Sequence, residues 1–144
     1  KIAKMTPHPM PQDPIAQTLA RYGRVTAARW WALAILREAK QPLTPDELFA
    51  ATTAATPKAP DRVTVYRALD WLVAKGLVRR IAASDRAARF EVASNNPAHA
   101  HFLCTTCGRT WCLPPHPTPW PPLPDGFVPR EAELVIRGQC AHCH

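Results

Sequence analysis

The sequence predicts an α+β fold for this 144-residue chain, and three observations predict it. Apolar residues recur at helical spacing in successive segments as far as Gly76, and the period then shortens to that of strands. Two Cys-x-x-C pairs, Cys104/Cys107 and Cys140/Cys143, stand 32 residues apart. The elements fall into an N-terminal part, residues 1–93, and a C-terminal part, residues 99–144, joined through a hinge-like Ser-Asn-Asn-Pro-Ala at 94–98.

The opening stretch to Pro14 is rich in proline and reads as an extended arm. Ile15, Leu19 and Tyr22 then recur at helical spacing until Gly23 stops the run. From Thr26 to Lys40 the apolar series Trp30, Trp31, Leu33, Ala34 and Leu36 marks a more deeply buried helix, closed by Pro42. Thr44-Pro45-Asp46-Glu47 is a helix start: a cap hydroxyl, proline at the first helical position, and a glutamate placed to bond back to the cap N–H. A polar loop from Thr56 to Pro60 leads into Asp61–Gly76, whose Val65, Leu69, Leu72 and Val73 stack on one side. Leu77–Ile81 and Arg89–Val92 read as two strands joined across the basic turn Ala83-Ser-Asp-Arg86. Helices followed by a basic hairpin have the order of a winged helix-turn-helix, with the helix at Asp61 as the reading element.

In the C-terminal part, His101–Thr105 and Arg109–Leu113 flank the first cysteine pair as a hairpin, and Glu133–Arg137 leads as a strand into the second. Between them Pro114–Pro124 holds seven prolines in eleven positions, where no helix forms. A C-terminal part this short has little core of its own, so a metal is expected to supply what burial does not. Cys104, Cys107, Cys140 and Cys143 make a closed four-sulfur set suited to one structural zinc, with Gly108 and Gly138 letting the chain wrap closely. An iron–sulfur cluster uses the same ligands, and two disulfides are the reading for a secreted chain. No apolar run is long enough to cross a bilayer and no signal-peptide core is present, so a cytoplasmic protein without a membrane partner is expected.

Charge is unevenly placed. Residues 1–93 carry 15 Lys or Arg against 8 Asp or Glu, residues 94–144 carry 3 against 3, and the whole formal excess of seven lies in the first part. That makes the N-terminal part the candidate nucleic-acid face. Thr64, Tyr66 and Arg67 are the candidates on the reading helix: arginine for a guanine edge or phosphate, tyrosine for positioning, threonine for phosphate beside exposed N–H groups. Arg79, Arg80, Arg86 and Arg89 are candidates along the wing for the minor groove or backbone. The plain alternative is a core Tyr66 and solvated arginines.

Glu91, His99, His101 and Cys112 form a second candidate metal set, bridging the two parts across the hinge and able to couple metal to their relative angle. The alternative is a solvated Glu91 and a Cys112 that is simply a small buried side chain. No nucleophile-and-base pair or phosphate-cradling loop is present and the sulfur cage is closed, so neither an enzyme nor a small organic substrate is expected.

Val63-Thr-Val-Tyr-Arg-Ala-Leu-Asp-Trp-Leu-Val-Ala-Lys-Gly-Leu-Val78, Arg89-Phe-Glu-Val92, His99-Ala-His-Phe-Leu-Cys-Thr-Thr-Cys-Gly108 and Gly138-Gln-Cys-Ala-His-Cys143 together resemble the ferric-uptake-regulator family of metal-dependent repressors. The Val-Thr-Val-Tyr-Arg-Ala-Leu-Asp form looks most like its zinc-uptake branch. The resemblance implies a homodimer on double-stranded operator DNA, with a C-terminal α/β dimerisation domain. It also implies one structural zinc per chain and a second, regulatory zinc at the hinge. It places Tyr66 and Arg67 on the family's DNA-contacting pair, Glu91, His99 and His101 on its sensor ligands, and Cys112 where a glutamate ligand is common. The chain departs from the pattern at Gln41 and Pro42, where a ligand is missing, at Ala98, Ala100 and Ala132, and at the proline tract, which replaces an amphipathic helix. The function expected is zinc-responsive repression; the alternative is a member with reduced sensing, acting as a constitutive, iron-responsive or redox-responsive DNA-binding regulator. An adaptor role for the proline tract is a third reading.

Overall fold

The computed structural model describes residues 12–81, 88–93, 100–114, 121–129 and 132–144. Four helices come first: α1 Pro14–Ala20, α2 Ala27–Glu38, α3 Pro45–Ala55 and α4 Arg62–Ala74. Each begins on a side chain that accepts a first-turn N–H, from Asp13, Thr26, Thr44 and Asp61 in turn. At α3 the expected reciprocal pair is complete: Thr44 accepts from the Glu47 N–H and Glu47 from the Thr44 N–H.

Helix α2 is the centre of the helical half. Its Trp30, Trp31, Leu33, Ala34, Ile35 and Leu36 are all buried, because α1, α3, α4 and the wing close round it. It ends at Glu38, two residues short of the expected Lys40. Leu48 of α3 and Val65, Leu69 and Leu72 of α4 complete the core from the other side. Strands β1 Val78–Ile81 and β2 Arg89–Val92 form the antiparallel hairpin, setting Arg79 opposite Glu91 and Val78 opposite Val92. Leu43 and Phe90 exchange backbone hydrogen bonds of 3.0 and 2.8 Å, stitching the chain before α3 to the hairpin.

The C-terminal sheet has β3 Ala100–Cys104 in the middle, β4 Thr110–Cys112 antiparallel on one side and β5 Leu134–Gly138 parallel on the other. The hairpin around the first cysteine pair is as expected. A parallel neighbour was not legible in the sequence; it needs a crossover connection, usually a helix. Here residues 121–129 of that connection run as exposed irregular chain with one turn at Asp125–Gly126. Among the described residues this half is β-rich and carries the four-cysteine cluster, and residues 121–129 hold no helix, as the prolines, which remove the backbone donors a helix needs, led one to expect. No described helix is long and apolar enough to cross a membrane.

Candidate metal centres and the reading helix

Register brings the four cysteines together. Cys104 ends β3 opposite Gly138 of β5, so the chain leaving β5 delivers Cys140 and Cys143 beside the turn that carries Cys107. The Thr105 N–H donates to Gly138 O at 2.8 Å, and Gly108 takes φ +73°, a left-handed turn that favours glycine. All four Sγ atoms lie within 4.8 Å of one another. Cys107 and Cys140 are 3.9 Å apart, against the roughly 3.8 Å that a tetrahedral cage with Zn–S bonds near 2.3 Å requires.

Their acidities point the same way. Hydrogen bonds from the backbone N–H groups of Cys107 and then Cys140 hold Cys104 down at about 6. Its hydrogen bond with Cys140, followed by burial, pushes Cys143 up to about 12. Sulfurs this close resist ionising together without a cation among them. The donors fit a zinc-type ion, and with every position filled by protein the cage has no place for a substrate.

The second set lies where the wing meets the C-terminal sheet. Glu91 is held by β2, while His101 and Cys112 face each other across β3 and β4. His101 Nε2 is 3.0 Å from Glu91 Oε2, and the Cys112 thiol donates to the same oxygen at 3.3 Å. The three donor atoms lie within 4.8 Å of one another, and the two distances to Glu91 Oε2 fall a few tenths of an ångström inside a tetrahedral zinc's. Burial would raise the Glu91 carboxyl, but hydrogen bonds from His101 and Arg79 overcome it and hold the group at about 2. Burial, with the Glu91 carboxylate beside it, pushes Cys112 up to about 12. A cleft of about 260 Å³, lined by Gln41, Leu36 and Arg37 among others, opens beside Glu91 and Cys112 and gives a path for an ion. His99 and the 94–98 hinge lie outside the described residues.

The candidate DNA contacts divide. Thr64 and Arg67 are exposed on α4, and Asp61 binds the Thr64 N–H. Tyr66 is half-buried, its hydroxyl held by Asp46 of α3 and by Arg62, so its aim is fixed from a neighbouring helix. Arg80 is exposed on β1, and Arg86 lies outside the described residues. Arg79 is engaged with Glu91.

Arg89 corrects its expectation. It is 8% exposed and donates to Gly108 O at 3.1 Å, to Pro42 O at 3.1 Å and to Glu47 at 2.9 Å, so it fastens the interior and does not edge the wing. Arg62 and Val63, which were not among the sequence candidates, are also exposed at the start of α4. The helical wheel holds the signal: Val65, Leu69 and Leu72 define the buried side and leave Val63 off it.

The ferric uptake regulator family model matches residues 21–113. The transcriptional regulator FurA of Mycobacterium tuberculosis is 35% identical over 104 residues, 68% of each chain. The ferric uptake regulator of Vibrio cholerae shares the fold with TM-score 0.70 at 21% identity, covering 87% of this chain and 98% of that one. The ferric uptake regulator of Pseudomonas aeruginosa, solved with manganese, does so with TM-score 0.69 at 23% identity over 90% of this chain and 99% of its own.

Proposed function

This chain belongs to the ferric uptake regulator family, and from that membership we propose that it represses transcription as a homodimer on operator DNA, its grip set by metal at Glu91, His101 and Cys112. It is a DNA-binding regulator with a metal-binding site, not an enzyme. The observation that carries the metal switch is the convergence of those three donors at the junction of the wing with the C-terminal sheet. An ion there ties β2 of the wing to the sheet beyond the hinge, His99 being the fourth ligand expected from the sequence, and so fixes the angle at which Tyr66 and Arg67 reach DNA.

Similarity to FurA favours the alternative signal, an iron-linked or redox-linked response, over zinc uptake in particular. A zinc-responsive reading is supported by the thiolate donor of Cys112, which suits a softer ion than a carboxylate does. Both place one structural zinc in the four-cysteine cage, and both are consistent with action in the cytoplasm.

The test titrates the purified protein, its cage zinc-filled, with zinc and separately with iron(II) under reductant. DNA selected from a random pool reports binding, and metal content is measured in parallel. The expected outcome is a second equivalent per chain and at least about tenfold tighter DNA binding with the cognate ion, lost in Arg67→Ala and Tyr66→Ala. DNA binding that ignores the second equivalent overturns the switch.

A further inference from the structure

The three hinge donors and Arg79 form two cross-strand pairs. His101 faces Cys112 across β3 and β4, and Arg79 faces Glu91 across β1 and β2. Register therefore fixes the position of Arg79 against Glu91, which is more than a chance encounter of surface charges. Glu91 is divided between the pairs. Its Oε1 receives both Arg79 Nε, at 2.7 Å, and Arg79 Nη2, at 2.5 Å, while its Oε2 faces His101 Nε2 and the Cys112 thiol. The pair is well shielded, with the Arg79 and Glu91 side chains 24% and 11% exposed.

A carboxylate can serve a metal with one oxygen or with two. Two-oxygen ligation here requires Oε1, whose two lone pairs already take Arg79 Nε and Nη2, to give up at least one of those charge-assisted hydrogen bonds in a largely buried site. One-oxygen ligation leaves those bonds intact, because Oε2 already points at the other donors. Zinc is satisfied by four ligands, whereas manganese(II) and iron(II) in oxygen- and nitrogen-rich sites take about six and gain from the second carboxylate oxygen.

We propose that Arg79 is a specificity-determining residue of this site: by occupying Oε1 of Glu91 it leaves that carboxylate one oxygen to give, and so favours a four-coordinate ion over six-coordinate manganese(II) or iron(II). The inference rests on the hinge site proposed above and concerns which ion that site accepts. Arg79 touches no metal itself; it acts through Glu91 as a positioning residue. Its guanidinium is thereby an internal partner of the sensor instead of a wing contact.

The test uses full-length protein with the four-cysteine cage filled with zinc, titrated with cobalt(II) and, in competition, with zinc and manganese(II). Wild type is expected to show the intense visible bands of tetrahedral cobalt(II). In Arg79→Gln those bands weaken several-fold as coordination expands, and the preference for zinc over manganese falls about tenfold. Arg79→Lys, which keeps a cation on Oε1, retains the wild-type spectrum and preference. An Arg79→Gln protein with unchanged spectrum and unchanged preference overturns the inference while leaving the hinge site standing. Weak octahedral-type cobalt bands in wild type overturn it without any variant. A wild type that takes no second ion overturns the hinge site itself, and the inference with it.

Discussion

Cys112 is exposed as a residue, yet its thiol sits against a carboxylate, and that contact decides its chemistry. A thiol raised to about 12 carries almost no thiolate near neutral pH, so without metal it is a slow nucleophile. With the cage sulfurs protected by zinc and no second ion present, alkylation of Cys112 by iodoacetamide at pH 8 is expected to run at least about tenfold slower than that of an unperturbed cysteine. The rate should climb as pH rises above 8. Glu91→Gln removes the negative charge that opposes ionisation, so the thiol becomes more acidic and alkylation faster; peptide mass spectrometry reads both. A Cys112 that reacts as fast as a free thiol would instead favour the redox-linked response. That Glu91, His101 and Cys112 could come together was legible from residue type and spacing. The burial and hydrogen bonding that set their acidities were not, because those depend on a register between strands that no local pattern encodes.

At the scale of elements, one buried guanidinium joins three of them. Arg89 leaves β2 and meets the Pro42 carbonyl ahead of α3, the Glu47 carboxylate that also completes the start of α3, and the Gly108 carbonyl just after the first cysteine pair. Arg89→Ala leaves those acceptors without their donor and is expected to cost about 2 kcal/mol, half-exposed Glu47 keeping the loss moderate. Urea unfolding of the zinc-loaded protein measures it, and a loss within 0.5 kcal/mol, the ordinary range of surface changes, would show the guanidinium to be idle. The helices and the wing strands were readable because caps and periodicity are local: Thr44 with Glu47, and Val65 with Leu69 and Leu72. Arg89 misled because a charged residue at the end of a strand reads as a surface residue. Only packing shows that α3 and the cysteine turn close over it.

Across the whole molecule, the division of labour follows composition. The helical half carries the positive charge and a core centred on α2, while the C-terminal half is a three-stranded sheet whose four-cysteine cage offers what its small core does not. The parallel seat of β5 beside β3 has a consequence for a severed chain. Residues 121–129 are exposed over the entire described stretch, whereas the strands on either side are held by a five-residue ladder and the sulfur cage. A protease that nicks the backbone there, after Phe127 for instance, should yield two fragments that still migrate as one body on gel filtration. Adding a strong zinc chelator should then free the shorter piece, whereas intact protein under the same treatment stays a single chain. Fragments that part at once, before any chelator, would mean that neither the ladder nor the ion bears that load.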